Sequence, residues 1–254
     1  MSWFRHRATL PDDWETIVAA RVAHWQLLDD DERNRMGDLI EGIVTTMRWE
    51  AANGFDLTDE VRTVIAAQAA LLVLGLDAGI EPYHDVSTII VHPSTMRRQE
   101  IRAGAVPGTV VDGAIDLLGE ASYGGPVVIA WDAARRGARH PEHGHDVVLH
   151  EFAHKLDMLD TVVDGTPPLP DRAARERWAA VCTSEFEQLR AGRGGPLLDP
   201  YGAANAAEFF AVATEVFFDR PVKLHRAKPD LYAVLQNFYR QDPAARAHRA
   251  TTIS

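Results

Sequence analysis

The chain has 254 residues, 46% hydrophobic and 25% charged, with 37 acidic against 26 basic side chains and a formal net charge of -11. This composition supports a sizeable apolar core and one domain spanning residues 1–254, while the acidic balance offers no basic face to nucleic acid or to an anionic membrane. A single cysteine, Cys182, excludes an internal disulfide and fits a reducing compartment, its ordinary place being a small buried group in a helix.

The opening MSWFRHRATLPDDWETI has two arginines with no apolar stretch after them, so no secretory signal is expected. From Pro11 to about Leu76, apolar residues recur three and four apart in WETIVAARVAHWQLL and RMGDLIEGIVTTMRW, with acidic residues before each run. Thr58 is the expected N-cap of a third helix ending near Gly75. Residues 1–80 therefore read as a mainly helical N-terminal part. The apolar run Val64 to Leu76 falls short of the roughly 20 residues a membrane span needs, and a soluble, cytoplasmic, monomeric protein is expected.

Beyond residue 80 the pattern changes. VSTIIVHP, GTVVDGA and GPVVIAWD are short β-branched runs bounded by Gly and Pro, predicting strands near 86–92, 108–113 and 126–131 and hence a small sheet. Pro126 can open a strand but cannot donate to a central ladder, which places PVVIAW at or near a sheet edge. DAARRGARHPEHGH reads as a polar loop, and DVVLHEFAHKLDMLD as the helix after it. TVVDGTPPLP is a loop, DRAARERWAAVCTSEFEQLRAG a helix from Asp171 to about Gly192, and GRGGPLLDPYGAAN a second long loop. A helix then starts at Asn205 or Ala206, runs through AAEFFAVATEVFFD and stops at Pro221, and KPDLYAVLQNFYR is the final helix. The fold class is α+β, with a core over residues 81–254 and no linker that forces a domain cut.

His150, Glu151 and His154 form H-E-x-x-H. On a helix the two histidines share one face a turn apart, so both imidazoles can reach one metal at roughly 2.0–2.1 Å. Glu151, turned about 100° from His150, can then hydrogen-bond a water without being a ligand, which is the division of labour zinc hydrolysis requires. With eleven histidines, chance alone yields this pattern on the order of a few times in a hundred, so a third ligand must be found. The flanking Val147, Val148, Leu149, Phe152, Leu156 and Leu159 withdraw the pair from water, and two buried imidazoles are costly unless a metal or carboxylate satisfies them.

Asp157 lies about 10 Å along the helix axis from His150, too far to share the ion, and is better read as a partner of His154. The third ligand must come from another segment. Glu208 and Glu215, seven residues apart, share nearly one face of a single apolar helix; the small neighbours Ala204, Ala207 and Ala211 favour Glu208, with Glu215 left open. His140, His143 and His145 in RHPEHGH have nothing to fix their geometry and read as a solvated loop. Tyr201 reads, on its own, as a loop aromatic.

The segment GPVVIAWDAARRGARHPEHGHDVVLHEFAHKLDMLD, together with YGAANAAEFFAVATEVFF, resembles the Mlc titration factor A family of bacterial zinc peptidases. The second segment also resembles the catalytic domain of anthrax lethal factor, through the pattern Y-G-x-x-N-x-x-E-F-F. The likeness runs from about Ser87 to Tyr239. It implies zinc held by His150, His154 and Glu208, against Glu215, with Glu151 as general base and Tyr201 as donor to the oxyanion of a tetrahedral intermediate. It also implies a zincin-like fold with a small mixed sheet and an active-site helix, in which PVVIAW pairs with an extended peptide by strand addition. Aminopeptidase-like activity on small peptides follows, as does binding of the transcriptional repressor Mlc. A second reading, from a different class, is a regulatory binding protein that sequesters a transcription factor and keeps its zinc site mainly for structure.

Overall fold

The helices of the first 80 residues start where a side chain can accept from their free N–H groups. Helix α1 (Trp14–Arg21) is followed by α2 (Asp30–Thr46), which opens with a capping box: Asp29 Oδ1 accepts from Glu32 N at 2.9 Å while Glu32 Oε2 accepts from Asp29 N at 3.1 Å. Helix α3 (Asp59–Val73) is capped by Thr58, as the sequence predicts, with Oγ1 accepting from Val61 N. It is apolar on every side and accordingly runs through the core, with Val64, Ile65, Ala66, Ala67, Ala69 and Ala70 all fully buried. The structure is a computed structural model that describes residues 8–94, 96–103, 110–117, 119–121, 125–160 and 162–253; the side chains of 96–121 and 251–253 are outside that description.

The tail of the second predicted helix departs from expectation. Backbone at Met47 turns extended, and Arg48–Ala51 form a strand, β1, parallel to β2 (Thr88–His92) with Arg48 opposite Thr88. Four residues are too few to show a two-residue period against the preceding helical one. Strand β6 (Val127–Ala130) pairs parallel with β2, and β5 (Gly119–Ala121) pairs antiparallel with β6, giving a mixed four-stranded sheet in the order β1-β2-β6-β5. Strands β3 (Met96–Ala103) and β4 (Val110–Leu117) form a separate antiparallel ribbon, and the first two positions of the strand predicted at 108–113 lie outside the described residues. Helices and a small sheet together make the fold α+β.

The sheet order narrows the expectation for PVVIAW, which is next to a sheet edge and not at it. It lies inside the sheet, between β2 and β5, and the edge on this side is β5. Pro126 precedes Val127, the first paired residue, so its missing N–H removes no ladder bond and says nothing about the edge. A second correction concerns DAARRGARHPEHGH, which is mostly helix: α4 (Trp131–Arg139) buries Ala133, Ala134, Gly137 and Ala138 on one stripe. Small residues form this apolar face, so a pattern built on large side chains passes over it. The tight fit explains the glycine, because a Cβ at Gly137 would lie 2.9 Å from Asp146 Cα.

Helix α5 (Val147–Asp157) carries the H-E-x-x-H residues and packs against α3, α4, β5, β6 and above all α7 (Ala206–Asp219). Lys155, fully buried, donates from Nζ to Asp85 Oδ2 and to Gly125 O, both at 3.2 Å, tying α5 to the approaches of β2 and β6. Helix α6 (Arg172–Arg190) starts one residue after the predicted Asp171, which is its N-cap, and α8 (Pro221–Ala227) and α9 (Pro229–Tyr239) follow α7. The chain does not finish with α9: a further helix, α10 (Pro243–Ile253), returns to α2 through Arg246, whose Nη2 donates to Glu32 Oε1 at 2.6 Å.

Gly165 clamps the loop between α5 and α6. Its N–H donates to Asp157 Oδ2 and its carbonyl accepts from Trp178 Nε1, both at 3.0 Å, while a Cβ there would fall 2.3 Å from Ala206 O at the start of α7. Its φ of +77° adds the cost of a left-handed backbone. Gly192 has a similar φ of +70° with nothing within 4 Å, and so isolates that cost. In thermal melts, Gly192→Ala is expected to lose about 1–2 kcal/mol, and Gly165→Ala a further 1–3 kcal/mol or so from overpacking; equal losses would show that the contact with Ala206 is not tight.

Candidate metal centre

Each helix of the site is set by the residue that caps it. Asp146 Oδ1 accepts from Val148 N at 2.9 Å and Leu149 N at 3.1 Å, fixing the start of α5. One turn on, His150 and His154 bring their Nε2 atoms to 3.2 Å from each other. Asn205 Oδ1 accepts from Glu208 N at 2.9 Å and opens α7, so Glu208 stands in the first turn, where the helix dipole favours a carboxylate. From there Glu208 Oε2 lies 3.0 Å from His150 Nε2 and 3.4 Å from His154 Nε2.

These three donors form a triangle with edges of 3.0, 3.2 and 3.4 Å. A tetrahedral ion bonded at roughly 2.0–2.1 Å would set its ligands about 3.3–3.4 Å apart, so the triangle fits such an ion with little movement. Among the described residues, this is the group of His, Cys, Asp and Glu side chains whose donor atoms converge closely enough to hold a metal ion. The structure thus brings His150, His154 and Glu208 together as the sequence anticipates.

Glu215 is not in the triangle. Its Oε1 lies 2.7 Å from His150 Nδ1, on the far edge of the ring from Nε2, and its Oε2 accepts from Asp146 N at 2.7 Å. Asp157, expected beside His154, instead gives Oδ2 to Gly165 N, and burial pushes its carboxyl up to about 6. The helix turns its Oδ2 toward the loop after α5, while the His154 ring acts on the carboxylate only through its charge. Glu151 is buried, 5% exposed, next to His150 in the chain. Tyr201 is 55% exposed with its ring centroid 6.1 Å from that of His150; it sits in the 3₁₀ turn Pro200–Ala203, held by Asp199 Oδ1, which accepts from Tyr201 N at 2.7 Å. His140 and His143 are solvent-exposed beside Glu142, and His145 lies 3.7 Å from Asp199 Oδ2. Cys182 is half-buried and its thiol is pushed up to about 12 by burial and by Glu185.

Electrostatics mark the triangle as a place for positive charge. Burial would lower the pKa of His150, yet hydrogen bonds to Glu208 and Glu215 carry it well above the ordinary imidazole value. Burial would likewise raise Glu208, but hydrogen bonds to His150 and His154 hold it well below the usual carboxylate range. In the ion-free protein a proton on His150 therefore occupies the role a cation would take.

The two residues that sequence reasoning passed over are Asp146 and the partner function of Glu215. Asp immediately before an apolar helical run is a legible cap signal, and the two-turn spacing of Glu208 and Glu215 is legible too; which carboxylate faces which ring nitrogen is not.

The family model described as glucose-regulated metallo-peptidase M90 matches residues 2–240. An uncharacterized protein of Synechocystis sp. is 36% identical over 239 residues, covering 92% of this chain and 86% of its own length. The Mlc titration factor A of Edwardsiella ictaluri is 33% identical over 258 residues, covering 99% and 97%, and that of Pectobacterium atrosepticum is 32% identical over 240 residues, covering 89% and 88%.

A pH dependence follows from the raised His150 value. A proton held more tightly in the folded than in the unfolded state stabilises the ion-free protein fully below pH about 6.5, and that contribution is lost as pH rises through the folded value. Metal must displace the same proton. Calorimetric titration with zinc in two buffers of different ionisation enthalpy is expected to show net proton release at pH 7, with apparent affinity rising with pH; no release would contradict the charge assignment.

Proposed function

The chain belongs to the glucose-regulated metallo-peptidase M90 family, with the Mlc titration factor A proteins among its relatives, and from that footing we propose that it is a zinc-dependent peptidase with aminopeptidase-like activity on small peptides. The observation that carries this reading is the triangle of His150 Nε2, His154 Nε2 and Glu208 Oε2, the number of protein donors a catalytic tetrahedral ion takes. An ion bound there supplies Lewis acidity toward a substrate carbonyl and toward water.

The chain's own residues do the rest. Glu151 accepts the proton of the attacking water as the new C–O bond forms, and returns it to the amine nitrogen as the C–N bond breaks. Its burial beside His150, in the H-E-x-x-H turn that supplies two of the three donors, supports this role. Tyr201 donates its hydroxyl to the oxyanion, and its exposure at the margin of the site suits a group that must meet substrate. Among the described residues no strand pairs with the outer edge of β5, which lies next to α5, and this supports strand addition of an extended peptide at β5 and a zincin-like arrangement of sheet and helix. No described helix is long and apolar enough to cross a membrane. The single cysteine suits a reducing compartment such as the cytoplasm.

The names of the relatives favour a second activity, binding of an Mlc-like transcriptional repressor, with or without proteolysis. The two readings separate at Glu151. With peptide anilides and a peptide library, Glu151→Gln is expected to lower kcat by about a hundredfold or more while keeping zinc, and Tyr201→Phe by about a hundredfold. Glu208→Ala is expected to lose zinc outright. Unchanged hydrolysis by Glu151→Gln would overturn the peptidase reading, and repressor binding that survives in the same variant would support the sequestering one.

A further inference from the structure

Beyond the ligand triangle, Glu215 is a buried carboxylate with both of its oxygens partnered. It stands two turns after Glu208 on α7 and is 6% exposed. Each of its oxygens has a partner on α5 or its cap: Oε1 lies 2.7 Å from His150 Nδ1, and Oε2 accepts from the Asp146 N–H at 2.7 Å. The Asp146 side chain in turn caps the helix that carries His150, and its backbone carbonyl accepts from His150 N at 2.9 Å.

We infer that Glu215 is the positioning residue of the metal centre: it holds the proton of His150 on Nδ1 and so keeps the Nε2 lone pair aimed into the triangle with His154 and Glu208. This inference rests on the metal reading given above. A neutral imidazole carries one proton on either of two nitrogens, and only the form with Nδ1–H leaves Nε2 free to ligate. Glu215 Oε1 can only accept, so it selects that form; the second contact, to Asp146, keeps the carboxylate from rotating away. One helix therefore delivers both a ligand, Glu208, and the group that orients a different ligand, and the ring is gripped along both edges at once.

Carboxylates that orient a ligating histidine typically change metal affinity by about 10–100-fold when removed. Three variants separate orientation from mere packing. Glu215→Ala removes both acceptors. Glu215→Gln keeps the shape and one acceptor oxygen, but its NH2 group meets a donor on either His150 or Asp146, so only one of the two contacts survives. His154→Ala reports the loss of a true ligand.

The test is zinc affinity by competition with a chromogenic chelator, together with nitrogen NMR of the His150 ring in ion-free and zinc-loaded protein. We expect wild type to bind one zinc, Glu215→Gln to bind more weakly, and Glu215→Ala to bind about 10–100-fold more weakly, with the neutral His150 ring of the ion-free protein, read at a pH above its titration, held as Nδ1–H in wild type and mixed between tautomers in Glu215→Ala. His154→Ala should lose the ion. Zinc affinity in Glu215→Ala within twofold of wild type, or a neutral ion-free His150 ring still held as Nδ1–H in that variant, overturns the inference even if the protein is less stable. Should Glu215→Ala not fold, the same two readouts on Glu215→Gln decide it. Wild type that binds no zinc would sink the metal reading itself, a result distinct from either.

Discussion

The site depends on the packing of α5 against α7, two helices separated by nearly fifty residues of chain that must hold three donor atoms 3.0–3.4 Å apart. Imidazole nitrogens and a carboxylate brought so close and so far out of water are unfavourable company without a cation or a proton among them. The surrounding structure therefore has to hold the pairing rigid. It does so with apolar contact from Phe152, Ala153, Ala211 and Val212, all buried, and with specific polar ties at the helix ends.

Those ties run in a consistent direction. Asn205 fixes the first turn of α7 and so the reach of Glu208; Asp146 fixes the first turn of α5 and so the reach of His150; and Glu215 joins the two by bonding Asp146 and His150 together. At the other end, Asp157 and Trp178 hold Gly165 against Ala206, which seats the start of α7 against the end of α5. Burial and hydrogen bonding pull the pKa values of His150 and Glu208 in opposite directions, and the result is a pocket that favours positive charge although the chain as a whole is strongly acidic.

How much of this is legible in the sequence depends on the length scale of each signal. Helices with long apolar stripes and a capping side chain, such as those opened by Thr58, Asp171 and Asn205, show themselves clearly. The three converging donors are legible because H-E-x-x-H fixes two of them by helical geometry and the Y-G-x-x-N-x-x-E-F-F resemblance points to the third. Short or small-residue elements escape: β1 has four residues, and α4 buries alanines and a glycine that carry little hydrophobic signal. Pro126 misleads for a different reason, since the same ring that bars a central ladder position is harmless one residue before the ladder begins. Asp157 and Glu215 show the remaining limit. Both lie at helical spacings from a ligand, but helix rotation sends Asp157 toward Gly165 and Glu215 toward the back of His150, and spacing along one helix cannot reveal what faces it from another.

The central claim is that His150, His154 and Glu208 form one three-ligand metal site. The most direct measurement is anomalous diffraction at the zinc edge from crystals of the zinc-loaded protein. The account predicts one strong peak roughly 2.0–2.2 Å from His150 Nε2, His154 Nε2 and a Glu208 carboxylate oxygen, with Glu215 outside the coordination sphere. A peak at the His140–His143 turn with none in the triangle, or an ion ligated by Glu215 in place of Glu208, would contradict it.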